Sequence, residues 1–386
     1  MTTMGVDAGR RRGVLRRAAR LAALGVLAWW ACSCAPSWPR PYLLAQAAAE
    51  RAYSSGRYEE AARYYHDAAL HAVKTKDRDE MLYLEATSEE RAGRTREARE
   101  DYEALEKLAP DGPRAARSAY EVAEMEVAQG DKDRGYRMIE AVMRRYPRSG
   151  IARRAMQRYV EHLDSEQGEA AGLAYLRANK AWFDANGLGE DAMYSIARHL
   201  ESLGQLEQAR DAYLQCAKEH PYPGGSLWDD ALWHASLLDE KLGDPKKAIA
   251  DLDTMLRERE ESTFSGSYER PRYASAQMRK AVLYRDALHD HATAIREFRK
   301  LFDDFTTSLQ RDDALWAEAK LEAEDGNGQQ ACATMKLLAD KLPKSRYVPC
   351  ASLVCPTQGA SGAPDKCRHY IEREFEREES NKSSEQ

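Results

Sequence analysis

Phenylalanine is scarce in this sequence, with six in 386 residues, and helix breakers are few: 14 prolines and 23 glycines. What fills the space is alanine, leucine, glutamate and arginine, a mixture that favours helix throughout. Long apolar runs are missing too. The main one, Leu21 to Trp30, is shorter than the roughly 20 residues a spanning helix needs. It follows Arg10, Arg11, Arg12, Arg16, Arg17 and Arg20, so residues 1–33 read as an export signal. Chemistry-bearing motifs are absent as well. There is no Gly-rich phosphate loop, nucleophile elbow or helical zinc-protease signature. Nine histidines form no metal pattern, and among 64 acidic residues no acid–base dyad stands out. The sequence therefore predicts no catalytic residue, cofactor, resident metal or small-molecule substrate.

Charge narrows the partners. Residues 1–33 hold six Arg and one Asp, so a chain without them carries −11 rather than −6. Nucleic acid needs a basic face, and so does adhesion to anionic lipid. A net acidic chain speaks against both.

A fixed period organises most of what remains. A small residue in a turn is followed by Ala at five, a large apolar residue at nine, a further apolar or small residue at twelve and often Pro at seventeen. Gly93, Ala98, Tyr102, Leu105 and Pro110 show the full pattern. It recurs from Gly56, Gly204, Gly243 and Gly326, and from Gly130 with Gly135 in place of the Ala at five. Two weaker copies have Glu166 and His289 at the turn, the former with Ala171, Tyr175 and Ala178, the latter with Ala294, Phe298 and Leu301. Each feature has a cause. Gly at the turn takes a left-handed conformation cheaply. Ala at five lets two helices approach, and Pro stops the second helix. Seven residues before each turn lies a second close-contact position: Ala49, Ala86, Ala123, Ala197, Ser236 and Ala319, with Tyr159 and Val282 in the weak copies. Acidic pairs at Glu190-Asp191, Asp229-Asp230 and Asp312-Asp313 open three helices and are expected to cap them.

The pattern resembles the tetratricopeptide repeat over about residues 41–345, with a period of mostly 36–39 in place of the family's 34. The resemblance implies an all-α, right-handed α-solenoid of about eight helical hairpins, each burying its face against its neighbours. It also resembles the repeats of envelope lipoproteins, such as that of the outer-membrane barrel-assembly machine and the Tol-Pal-associated periplasmic coordinator. The expected divisions are a signal peptide (1–33), a lipidated tether (34–40), repeats one to six (41–262) and a linker with repeats seven and eight (263–345). A Cys-rich cap (346–377) and a disordered tail (378–386) follow.

In this family the first helix of each hairpin lines the inner groove at its second, fifth, ninth and twelfth positions. The fifth gives Tyr83, Tyr120, Tyr194, Trp233 and Trp316, a candidate peptide-binding ladder; the same rings also suit packing between hairpins. The ninth and twelfth give Thr87, Glu90, Glu124, Arg198, Glu201, Glu240 and Lys320, read either as a groove for a charged partner or as a solvated face. Residues 261–267, around Phe264, read as an insertion or a hinge.

Ala31-Cys32-Ser33-Cys34 resembles a lipobox, which makes Cys34 the lipidation site and implies outer-membrane sorting, since Ala35 is not Asp. An ordinary cleaved signal and an uncleaved anchor also fit, and Arg11-Arg12 fits twin-arginine export. Cys216 is expected as a buried thiol. Cys332, Cys350, Cys355 and Cys367 allow three disulfide pairings, with Cys367 able to reach back to Cys332, or a zinc site with His369. A short helix is expected from Lys366 to Arg377. The resulting reading is a periplasmic scaffold that binds envelope proteins or peptide segments, touches the membrane through its lipid, and serves an envelope machine: barrel-protein insertion, pilus or secretin assembly, motility or constriction. A self-associating structural lipoprotein and an accessory subunit of a cell-wall or polysaccharide enzyme are the alternatives.

Overall fold

In a computed structural model, the structure describes residues 38–258, 271–356 and 367–373. The signal, Cys34, the 261–267 insertion and the 378–386 tail lie outside the described residues. The described chain is all-α apart from turns and one 3-10 segment. It divides at Tyr159/Val160 into two compact units. The boundary falls inside the helix of the weak fourth repeat, not at residues 261–267.

The first unit holds α1 (Arg40–Ser54), α2 (Tyr58–His71), α3 (Thr75–Arg91), α4 (Thr95–Leu108), α5 (Ala115–Ala128) and α6 (Lys132–Arg145). Then α7 (Gly150–Gln167) spans the boundary. The second unit continues with α8 (Glu169–Ala178), the short α9 (Lys180–Ala185), α10 (Gly189–Ser202), α11 (Leu206–Glu219), α12 (Trp228–Lys241), α13 (Pro245–Arg257), α14 (Pro271–Asp286), α15 (His291–Asp304), α16 (Arg311–Glu324) and α17 (Gly328–Lys341). Within each unit consecutive helices pack as hairpins, and each hairpin packs on the next. Eight hairpins are present among the described residues.

The predicted small positions sit at the helix crossings. Ala61, Ala98, Ala209, Ala248, Ala294 and Ala331 are fully buried, as are Ala49, Ala86, Ala123, Ala197 and Ala319. At Gly135 the approach is closer still: an added Cβ would lie 2.5 Å from Val127 Cγ2 and 2.7 Å from its backbone nitrogen. Behind these contacts, Tyr102, Ile139, Tyr213, Leu252 and Phe298 fill the space between hairpins. Each such side chain contributes about 1.5–3 kcal/mol on leaving water. The left-handed turn appears at Gly93 (φ 79°), and His289 adopts it too (φ 51°), the one non-glycine to do so among the described residues.

The weak copies depart from the expected register. In the fourth, the left-handed residue is Gly168, not Glu166. Gly172, Leu173 and Leu176 are buried while Ala178 is exposed, so the packing face lies one residue beyond Ala171, Tyr175 and Ala178. At His289 the turn is one residue longer than at Gly93. There the Asp290 N–H donates to Tyr284, six residues back, whereas the Arg94 N–H donates to Glu89, five back. The helix before it shifts to match, and Ala281 takes the buried position expected of Val282, as Val160 does for Tyr159.

None of the acids in the three acidic pairs is an N-cap residue, although Asp229 and Asp312 accept the N–H groups of Asp230 and Asp313 in their own first turns, at 3.0 and 3.1 Å. Glu190 accepts from the Leu227 N–H (2.6 Å) and the Ser226 hydroxyl (2.9 Å) at the start of the next hairpin. Asp312 accepts from the Ser345 hydroxyl at 2.8 Å. Side-chain caps occur instead on second helices, where Asp131, Asp244 and Asp290 accept the N–H groups of Arg134, Lys247 and Thr293.

At the C-terminal end, the 3-10 segment Val348–Leu353 and helical residues 369–373 lie on the last hairpin. Tyr347, Cys350, Val354 and Ile371 join the core of Trp316, Met335 and Leu338. Disulfides join Cys332 to Cys355 and Cys350 to Cys367. Cys367 therefore does not reach Cys332, and all four sulfurs are taken, which removes the zinc alternative. Cys216 is a free, buried thiol, and burial pushes its pKa up to about 12.

Charged groups are buried at the joints between hairpins. Asp239 of α12 accepts from Arg210 of α11 at 3.1 Å, yet its other oxygen is buried without a donor. Asp251 of α13 faces it with a buried oxygen of its own. Burial, reinforced by the Asp239 charge, pushes the Asp251 carboxyl up to about 7. Glu85 is raised to about 7 by burial, against the pull of His66.

Two outcomes follow for stability. Ala98→Leu overpacks a helix crossing and destabilises by about 1–3 kcal/mol in chemical denaturation, while Ala104→Leu, exposed on the same helix, changes stability by no more than about 0.5 kcal/mol. The raised Asp251 favours its protonated form in the fold. Its contribution is complete below the ordinary aspartate range and lost as pH rises through about 7. Asp251→Asn should therefore melt a few degrees above wild type at about pH 8, with the advantage shrinking on acidification to about pH 5.

Candidate partner-binding groove

The first helices of the leading hairpins enclose an open groove of 560 Å³, lined by Trp38, Tyr42, Leu43, Gln46, Lys76, Asp77, Glu80, Met81 and Pro113. Its floor is apolar: Tyr42 and Met81 are buried in the hairpin core. Trp38 is 40% and Leu43 45% exposed at its edge. Trp38 is held across the mouth because its indole N–H donates to Asp77 Oδ2 at 2.8 Å, and the Lys74 ammonium lies 5.6 Å from its ring centre. On the far side, the Arg114 guanidinium forms a two-pronged pair with the Glu80 carboxylate. The same guanidinium lies 4.5 Å from the centre of the Tyr83 ring.

The predicted aromatic ladder falls into two sets. Tyr83, Tyr120 and Trp316 are buried, and each is covered by a residue of the next segment. Arg114 covers Tyr83, Arg154 lies 5.3 Å from the centre of Tyr120, and Tyr347 stacks on Trp316 at 4.9 Å. These three rings pack between hairpins and offer no face to a ligand. Tyr194 and Trp233 remain half-buried in the second unit. Tyr194 meets Tyr213 and His234 edge-on, at 5.3 and 6.0 Å. Arg272 lies over Trp233 at 5.7 Å and pairs with Asp230 at 2.6 Å. Burial raises the Tyr194 hydroxyl to about 12 and lowers His234, which therefore stacks on Tyr213 as a neutral ring.

The polar positions of the wall are mostly satisfied from hairpin to hairpin. Glu124 accepts from Arg158 at 3.1 Å, and Glu240 accepts from Arg279 at 2.8 Å. Glu201 accepts from Lys241 at 3.4 Å and from the Tyr213 hydroxyl at 3.2 Å. Thr87 and Glu90 both meet the Tyr102 hydroxyl. Lys320 is half-buried and partnered. Arg198 is exposed and makes no ion pair among the described residues.

Sequence reasoning passed over the groove of the first unit. Counted as in the later repeats, Leu43 and Gln46 are the second and fifth positions of the first hairpin, and Glu80 is the second of the next. Gln46 is not aromatic, so a search for a ring at the fifth position skipped this hairpin. The apolar Leu43 at a wall position was the usable signal.

A family model of the tetratricopeptide repeat matches residues 191–221, from the first turn of α10 to the proline after α11. The fold is a tetratricopeptide-type solenoid. No curated protein matches the sequence. Among solved structures, a tetratricopeptide repeat protein from Parabacteroides merdae is 13% identical, with 68% of this chain and 92% of that one covered at a TM-score of 0.33. A Pseudomonas aeruginosa pilF structure is 15% identical over 61% of this chain and 96% of its own, at 0.36. Against the Naa15/Naa10 structure bound to HypK-THB, 15% identity spans 81% of this chain but only 44% of that chain, at 0.38. At these identities and scores the likenesses bear on no function. The tetratricopeptide-type hairpins of this chain place no group of three or more His, Cys, Asp or Glu where a metal ion would be held, among the described residues.

Proposed function

We propose that this chain is a non-catalytic scaffold that holds a segment of another envelope protein, tethered to the outer membrane on its periplasmic side by lipid on Cys34. The observation that carries the binding part is the groove of the first unit, with an apolar floor of Tyr42 and Met81 and an exposed Trp38 at its edge. An amphipathic or extended segment would set one or two apolar side chains on that floor, as helices and strands do in recognition grooves. Trp38, fixed by its bond to Asp77, is already in place to cover them, so little ordering cost falls on the scaffold. The rim carries Lys76 and Gln46 as polar contacts that fix direction. The tether rests on the Ala31-Cys32-Ser33-Cys34 string, followed by Pro36 and Pro39. The scaffold supplies position, and any chemistry belongs to the machine it serves.

The test is photo-cross-linking in cells of the full chain carrying a photoreactive residue at Gln46 or, for comparison, at Arg96 on the outer side of α4. Adducts with a discrete envelope protein are expected from position 46, strongly reduced by Met81→Glu, and absent from position 96. Cys34→Ala should move the protein out of the outer-membrane fraction. Equal adducts at both positions, or a groove adduct indifferent to Met81→Glu, would reject the groove; unchanged fractionation would reject the tether.

A further inference from the structure

The chain is acidic as a whole, yet residues 132–158 hold nine basic residues against two acidic ones. Much of that charge is gathered on α6. Arg134, Arg137, Ala141, Arg144 and Arg145 follow one another at spacings of three or four and ten or eleven, so they share one side of the helix. All five are exposed, and Arg148 continues the row in the turn that follows. The opposite side, with Tyr136, Ile139, Val142 and Met143, is buried in the hairpin. The second helices of other hairpins differ: α4 exposes Arg96 beside Glu100, and α11 exposes Asp211 beside Lys218.

Acids accompany this row: Asp133, exposed, and Glu140 stand on α6 itself, and two others reach it from neighbouring segments. Arg134 meets Glu126 at 3.4 Å, with the arginine side chain 59% exposed and the glutamate 7%. Arg145 meets Glu106 at 2.7 Å, at 58% against 20%. Arg144 meets Glu140 at 2.7 Å, at 38% against 24%. Each carboxylate takes one side of a guanidinium, whose five N–H donors leave others facing water. Arg137 and Arg148 make no ion pair among the described residues. Basic groups therefore outnumber acids on the outward surface over about 16 Å, the eleven residues of helical rise from Arg134 to Arg145.

We infer that this outer face of α6 is a docking surface for anionic phospholipid headgroups. Three features select that partner. The face is a convex helix side, with no concavity to enclose one small ion. No large apolar side chain is exposed between Lys132 and Arg158, so it lacks the apolar anchor around which protein interfaces are built. Its charge is almost all arginine, whose planar fork matches phosphate oxygens two at a time. A bilayer presents many phosphates in a plane, and each basic residue held near such a surface adds attraction. The acidity of the rest of the chain is screened beyond about 10 Å. Contact of this kind does not require lipid on Cys34. It would act as a second, electrostatic attachment beside an acyl anchor, orienting the first unit on the membrane.

The experiment is co-sedimentation of the full chain with vesicles of phosphatidylcholine alone, or with one lipid in three replaced by phosphatidylglycerol. Wild type and the double variant Arg137→Gln/Arg148→Gln are compared across a salt series. Wild type should bind the anionic vesicles better than the neutral ones, and salt should abolish the difference. The double variant should bind the anionic vesicles at least about tenfold more weakly, with an unchanged circular-dichroism melt. Residues 1–37, with their six Arg, would also favour the anionic vesicles, but equally in wild type and in the variant, so the loss on substitution is what isolates α6. Should the double variant fold poorly, the single variants Arg137→Gln and Arg148→Gln are compared with wild type in the same way, each expected to weaken binding to the anionic vesicles alone. Equal binding to both vesicles, or an undiminished variant, overturns the inference. So does tighter capture of poly-glutamate or duplex DNA than of vesicles, lost in the same variant, which would assign the face to an acidic protein or to nucleic acid.

Discussion

Close crossing of two helices over a residue with almost no side chain is the constraint on which the rest of this chain depends. Ala98, Ala209 and Ala294 bring the second helix against the first, and Gly135 does so with nothing to spare. Only at that distance do Tyr102, Tyr213 and Phe298 reach past the crossing to fill the gap to the next hairpin. No hairpin has enough apolar surface to stand alone, so each borrows its core from the hairpins beside it. The disulfide-linked cap extends this logic to the last hairpin, which has no successor to borrow from.

The second layer is polar and runs from one hairpin to the next. Arginines and acids that look like a solvated surface in sequence pair across the joint: Arg114 with Glu80, Arg158 with Glu124, Arg210 with Asp239, Arg279 with Glu240. Asp239 among these acids is buried, so loss of Arg210 would strand its charge rather than merely remove a bond. This pairing also decides what is left for a ligand. Where the wall is self-satisfied, a partner finds little to bind. Where it is not, at the apolar floor beside Trp38 and on the arginine row of α6, the molecule presents surface that its own contacts leave available.

Much of this was legible in sequence. The alanine at five, the large residue at nine and the glycine turn recur because each answers a local steric demand, so they can be read without a structure. His289 was readable as a turn by position alone. The fourth repeat was not: its glycine stands two residues after the expected place, and a broken helix hides the shift. The aromatic fifth position was a poorer guide, because a ring at that place is covered by an arginine or tyrosine about one repeat later, and the covering residue has no fixed identity. The disulfide pairing could not be read at all, since it depends on how the segment after Pro343 folds back on α17. The first groove was missed because its wall carries Leu43 and Gln46 instead of rings.

The central claim is that stability is local, passed from each hairpin to its immediate neighbours. Hydrogen–deuterium exchange followed by mass spectrometry on Tyr213→Ala tests it most directly, because Tyr213 is fully buried where α11 meets α10 and α12. Exchange should accelerate in 189–219 and in the adjoining 228–257, and stay at the wild-type rate in 311–341. Acceleration spread evenly through all three stretches would show one cooperative core in place of a chain of neighbouring contacts.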